Sequence, residues 1–129
     1  MKIQRFEELR AWQQARALTN LVYDVTGKGD FARDFELRNQ IRAASGSIMH
    51  NIAEGFDAGS DGEFIIFLKY ARRSASEVQS EAYLALDRKY LTPEMFQQIY
   101  DRATENKKTI NTLIAYLRKS KASRRHVTT

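Results

Sequence analysis

A single proline in 129 residues, with glycine gathered mainly at two places, leaves this chain few points where a helix must stop. Glycine and proline are the residues that most readily end a helix, one through backbone freedom and the other through its missing N–H. Gly27 and Gly29 bracket one break, Gly55, Gly59 and Gly62 crowd a second, and Pro93 marks a third. Three breaks make four long segments. None alternates apolar and polar residues as a half-buried strand does, and each is too long for a strand.

Each segment carries an apolar stripe at helical spacing. The first, near residues 6–26, aligns Ala15, Leu18, Val22 and Val25, flanked by Trp12 and Leu21. The second, near 32–54, aligns Leu37, Ile41, Ala44, Ile48 and Ile52. "SDGEF" opens the third as a capping box, in which the Ser60 hydroxyl accepts from the Glu63 amide while Glu63 reaches back. Its stripe runs Phe64, Phe67, Leu68, Ala71, Ala75, Val78, Ala82 and Leu86. "TPEM" opens the fourth, with Thr92 as cap and Pro93 in the first turn. Phe96, Ile99, Ala103, Asn106, Ile110, Leu113 and Leu117 then alternate steps of three and four, the spacing of a bundle seam. The pattern predicts an all-α fold: an up-down-up-down antiparallel four-helix bundle over residues 1–117. Residues 118–129 are read as a basic, frayed C-terminal tail.

Composition limits the function. Hydrophobic residues at 43% and charged residues at 29% are ordinary for a globular domain. The absence of cysteine removes disulfides, thiolate metal sites and thiol nucleophiles. The sequence shows no signal-like apolar segment and no membrane-length run, so a cytoplasmic location is expected, with no membrane partner. The net charge of +5 is uneven: Arg118, Lys119, Lys121, Arg124 and Arg125 lie in the tail with no acid among them. Without these five of the 21 basic residues, the remaining chain is formally neutral against 16 acidic ones.

Beside the greasy stripe of the second helix runs a row of small and polar residues, Gln40, Ala43, Ser47, Asn51 and Glu54. Small side chains admit a close neighbour, and amides can hydrogen-bond across the contact. Gly55 is expected to end this helix in the left-handed conformation. Glu54 then faces an unfavourable helix dipole and calls for a partner, an arginine or free amides at the next helix start, which makes it a structural latch.

Catalytic constellations find little support. His50 and Glu54 are four apart, but a di-metal bundle needs carboxylates from two helices and Glu-x-x-His from the other two. The chain has two histidines and no Glu-x-x-His motif. No Gly-x-Ser-x-Gly elbow surrounds Ser47 or Ser74, and "GKGDF" lacks P-loop spacing and reads as a turn. Glu54 with Glu77 or Glu81 is a geometrically feasible carboxylate pair without an evident substrate pocket. The expectation is a non-enzymatic protein with no cofactor and no metal.

"LRNQIRAASGSIMHNIAEG" followed by "EFIIFLKYARRSASEVQSE" resembles the signature of bacterial four-helix bundle proteins associated with intervening sequences in 23S ribosomal RNA genes. The accessory protein of diversity-generating retroelements belongs to the same fold group. The matching positions are Trp12 and Ala15, then Gln40, Ile41, Ala44, Ser47, Ile48, Asn51, Ile52, Ala53, Glu54 and Gly55, then Phe64, Phe67, Leu68, Ala71, Ser74 and Glu77. The likeness covers roughly residues 6–90, and helix four agrees in pattern only. Relatives often carry a Pro and a Glu before helix two, where this chain reads "GDFARDFEL", a difference expected to alter the entry loop. The resemblance implies a cytosolic ring-like homo-oligomer, a pentamer, with no established enzymatic activity and an RNA, DNA or nucleoprotein partner.

Two non-enzymatic roles follow. One is an oligomeric interaction scaffold, with Ile65, Ile66, Tyr70 and Met49 lying off the core stripes as candidate subunit contacts and Asn106 as a register-setting seam residue. The other is nucleic-acid binding through Arg38 and Arg42 on helix two, Arg72 and Arg73 on helix three, and the basic tail. The competing explanation pairs these arginines with acids such as Glu36, Asp61, Glu77 and Asp87.

Overall fold

The computed structural model describes the backbone of residues 2–128 and the side chains of residues 2–120. Four helices follow one another: α1 (Arg10–Thr26), α2 (Phe35–Phe56), α3 (Asp61–Asp87) and α4 (Pro93–Thr128). Short 3-10 turns at Phe6–Glu8 and Gly29–Arg33 precede α1 and α2. The described residues contain no strand. Each helix packs against the next, and α4 returns to α1. Cross-helix contacts fix the directions. Ser47 meets Ser74 while Gly55 meets Phe64 and Phe67, and Gln79 meets Thr104 while Arg72 meets Asn111. Residue numbers rise on one helix as they fall on its neighbour, so α2–α3 and α3–α4 are antiparallel, as their short links require.

The apolar stripes converge on one core. Leu18, Ile41, Ile48, Ile52, Leu68, Ile99 and Ile110 are fully enclosed. Burying such a side chain is worth about 1.5–3 kcal/mol relative to exposure. Alanines 71, 75, 82 and 85 are buried along α3, which lets its neighbours approach. The α4 seam departs from strict three-four alternation at its far end. Ile114 is buried and Leu113 only half-buried, because a straight helix of 3.6 residues per turn drifts off a heptad row. Ile65 is likewise a core residue rather than a surface one, whereas Ile66 and Tyr70 are exposed.

The helix ends show how local sequence stops each element. The Ser60 hydroxyl accepts from the Glu63 amide at 3.2 Å, and the Glu63 carboxylate contacts the Ser60 hydroxyl, not its backbone. Asp34 caps α2 through the Leu37 amide and Thr92 caps α4 through the Met95 amide. At the end of α3, Lys89 takes φ +62°, with the Tyr90 amide donating to Ala85 O and the Lys89 amide to Leu86 O. This is a Schellman turn built on lysine instead of glycine. Tyr90 then stacks on Phe31 at 5.2 Å and donates to Asp34 at 3.0 Å, tying the α3–α4 link to the start of α2.

Gly55 has a different role from the left-handed cap the sequence suggests. It is buried inside α2, which continues through Phe56, and among glycines only Gly29 has positive φ. A Cβ at Gly55 would lie 2.7 Å from Phe67 Cβ and 2.9 Å from Phe64 Cδ1. Glycine is needed because α3 crosses there without room for a methyl group. Helix propensity alone would make Gly55→Ala stabilising by about 1 kcal/mol. The crowding reverses the sign, and urea unfolding is expected to show a loss of about 1–3 kcal/mol.

Candidate functional site

The polar row of α2 separates into two parts. Ser74, buried on α3, donates to the Ser47 hydroxyl at 3.0 Å. Asn51 donates through Nδ2 to the same hydroxyl at 3.0 Å and to the Ser47 carbonyl at 2.8 Å. These three form a hydrogen-bonded bridge between α2 and α3. Gln40, Glu54 and Glu77 are exposed and hydrogen-bond to none of the three. Glu54 has neither the arginine nor the helix-start amides expected of a latch among the described residues. Its exposure explains why: water screens the dipole that a buried carboxylate would feel.

Two further buried polar groups hold α4. Asn106, fully enclosed, donates through Nδ2 to Ala11 O at 2.9 Å and to Gln14 Oε1 at 3.2 Å. Its register-setting position is thus used across the α1–α4 contact, and its Oδ1 has no partner among the described groups. Gln79 donates to Tyr100 O and Thr104 Oγ1 and accepts from Lys107 Nζ at 2.9 Å. Sequence reasoning missed Gln79. Its place next to Val78 in the α3 pattern was the available signal.

The carboxylates Glu54, Glu77 and Glu81 stand apart from the two clefts described below. Glu81 is half-buried with Oε1 enclosed and unpartnered among the described residues, and burial, with the Glu77 charge second, pushes its carboxyl up to about 7. A cleft of about 420 Å³ is lined by Ile3, Leu9, Leu113 and Tyr116 among others, and one of about 320 Å³ by Arg10, Gln14, Arg102 and Glu105 among others. Neither includes Glu54, Glu77 or Glu81. His50 is exposed, and the described residues hold no cluster of three or more metal-ligating side chains.

The arginines form the most distinctive chemistry. Among the described residues, Arg38, Arg42, Arg72 and Arg73 make no ion pair with any carboxylate. Arg42 donates to Thr26 Oγ1 at 2.8 Å and lies 4.5 Å from the Tyr23 ring centroid. Arg38 donates to Ala32 O and lies 4.7 Å from the Phe35 ring. Arg73 sits over Tyr70 at 5.5 Å, and Arg72 donates to Asn111. Aromatic faces and neutral oxygens therefore hold these guanidiniums and leave their charge uncompensated. Arg118 and Lys119 are exposed on α4. The side chains of Lys121, Arg124 and Arg125 lie outside the described residues.

A helical bundle with a hydrogen-bonded α2–α3 bridge and uncompensated surface arginines is the class of protein that fold and site define. The chain belongs to the 23S rRNA-intervening sequence protein family, whose profile matches residues 7–112. A crystal structure of a protein of unknown function from the S23 ribosomal protein family of Bacteroides thetaiotaomicron has the same fold. The TM-score is 0.75 at 24% identity over 81% of this chain and 95% of that one. No curated protein matches. No helix among the described residues is long and apolar enough to cross a membrane.

Glu81 gives a pH signature. Between pH 4.5 and about 7 the folded protein holds a proton that the unfolded chain releases, so stability falls as pH rises through that window. Chemical unfolding at pH 5 and pH 8 is expected to show this loss, about 1 kcal/mol once solvent screening of a half-exposed group is allowed for. Glu81→Gln should flatten the difference.

Proposed function

We propose that this protein is a non-enzymatic nucleic-acid-binding accessory protein that works as a homo-oligomer. The observation that carries this reading is that Arg38, Arg42, Arg72 and Arg73 have no carboxylate partner among the described residues. Had they been paired with neighbouring acids, each pair would have contributed about 0–1 kcal/mol of stability and left little charge for a partner. Held instead by rings and neutral oxygens, they keep full charge in a fixed position, which suits bidentate contact with phosphate. The names of the family and of the solved relative both refer to ribosomal genes or proteins, which favours RNA or its gene as the partner. In an oligomer each face repeats once per subunit, and modest contacts add through effective concentration. A cytoplasmic location accords with such a partner.

Binding of a fluorescent oligonucleotide between 50 and 300 mM salt tests the reading. Log affinity should fall linearly with log salt, with a slope of about −0.7 to −0.9 per phosphate neutralised. Arg38→Gln with Arg42→Gln should weaken binding and make the slope shallower by about one to two units. Affinity that ignores salt, or that survives this double change, would contradict it.

A protein-interaction scaffold is the second reading, favoured by one cluster. Exposed Tyr83 packs against Phe96 at 4.7 Å and Tyr100 at 5.8 Å, with exposed Leu84 next to it in sequence. The exposed Tyr83 and Leu84 side chains, backed by these rings, suit contact with another chain. Light scattering should give several chains per particle, with five the family's expected number. If Tyr83→Lys leaves that mass unchanged, the cluster is not the subunit contact.

A further inference from the structure

The α1–α2 seam carries a second regularity. Trp12, Arg16, Thr19 and Tyr23 recur along one row of α1, and the Thr19 hydroxyl reaches Ser45 O on α2 at 3.1 Å, so this row borders α2. Arg42 on α2 lies against Tyr23 of this row, and Arg38 and Phe35 precede it by one and two turns along α2. Guanidinium and ring meet three times: Arg16 over Trp12 at 5.7 Å, Arg42 over Tyr23 at 4.5 Å and Arg38 over Phe35 at 4.7 Å. No carboxylate ion-pairs with these arginines among the described residues. Phe35 is 63% exposed and Tyr23 49% exposed, although neither is needed to close the core. An apolar ring left that open costs free energy in water unless something covers it.

We infer that this seam binds single-stranded nucleic acid, with bases stacking on Tyr23 and Phe35 and phosphates held by Arg38 and Arg42. The inference rests on the nucleic-acid reading above and narrows it to one strand state and one face. Cations alone would suit duplex and single strand equally. Rings interleaved with cations favour the single strand, whose bases are free to leave one another and stack on protein. In a duplex those base faces are already occupied. Arg38 and Arg42 stand one helical turn apart, so one face of α2 carries both. The chemistry is shared by RNA and DNA, because stacking and phosphate contact do not read the 2′-hydroxyl.

The test uses the intact chain with fluorescein-labelled ten-nucleotide oligo-U, oligo-dT and a ten-base-pair mixed duplex. Both single strands should bind more tightly than the duplex. Phe35→Ala and Tyr23→Ala should each weaken single-strand binding about 5- to 150-fold and leave the weaker duplex binding unchanged. Phe35→Leu keeps apolar bulk without the ring and should lose affinity like the alanine variant, while Phe35→Tyr should retain it. A thermal melt of each variant checks that the bundle is intact. Ring variants that bind like the parent, or a duplex that binds as tightly as the strands, would overturn the single-strand inference while the broader reading stands on its salt dependence. Failure of all three probes to bind would overturn both. Preference for oligo-U over oligo-dT would identify RNA as the source.

Discussion

The bundle depends on how closely α2 and α3 approach. At one end Gly55 lets Phe64 and Phe67 lie where any side chain would collide. Two turns away the Ser47, Asn51 and Ser74 side chains bridge the helices by hydrogen bonds that larger residues would displace. Close approach strengthens dispersion contacts along the whole interface, because packing energy falls steeply as gaps open. It also fixes the register of both helices, since the serines meet only where Gly55 faces the phenylalanines. With α2 and α3 locked, α1 and α4 complete the core through Asn106 and Gln79, each anchored to a neighbouring helix's backbone.

That inner arrangement dictates what remains outside. The small and apolar residues of α2 are committed to α3 and the core, so Arg38 and Arg42 lie along the border with α1. Buried charge would need a charged partner, and a surface arginine does not. The chain holds them instead by Tyr23, Phe35, Thr26 and Ala32, which supply π-faces and oxygens without neutralising the charge. A protein selected only for solubility has no need of ordered arginines beside exposed rings. The aromatic cluster of Tyr83, Phe96 and Tyr100 lies on α3 and α4, away from Tyr23 and Phe35.

The sequence disclosed the fold where a single physical rule dominates. Helical spacing, the Ser60 and Thr92 caps and the sparse breakers placed four helices in order, because burial and capping act locally. It misread positions where two rules compete. Gly55 looked like a terminating glycine, yet a helix crossing from elsewhere in the chain set its role. Lys89 takes the left-handed position that glycine usually fills, and nothing in its neighbours announces that. Ile65 and Ile114 joined the core because real helices drift from an idealised row. Among candidate site residues, Ser47, Asn51 and Ser74 come together as a bridge, while Gln40, Glu54 and Glu77 face solvent. The arginines were visible as a charge pattern, but the ring that Arg42 meets lies on α1, distant in sequence, so only the folded chain pairs Tyr23 with Arg42.

The claim that Arg38 and Arg42, with the exposed rings of Tyr23 and Phe35, form a nucleic-acid face is tested most directly by photocrosslinking. A 4-thiouridine oligonucleotide irradiated with the intact protein, followed by mass spectrometry of the joined peptides, reports which residues touch the bases. Crosslinks at Tyr23 and Phe35, with Trp12 at the edge, are the result this account predicts. Crosslinks confined to residues 118–129, or to the outer faces of α3 and α4, would contradict it.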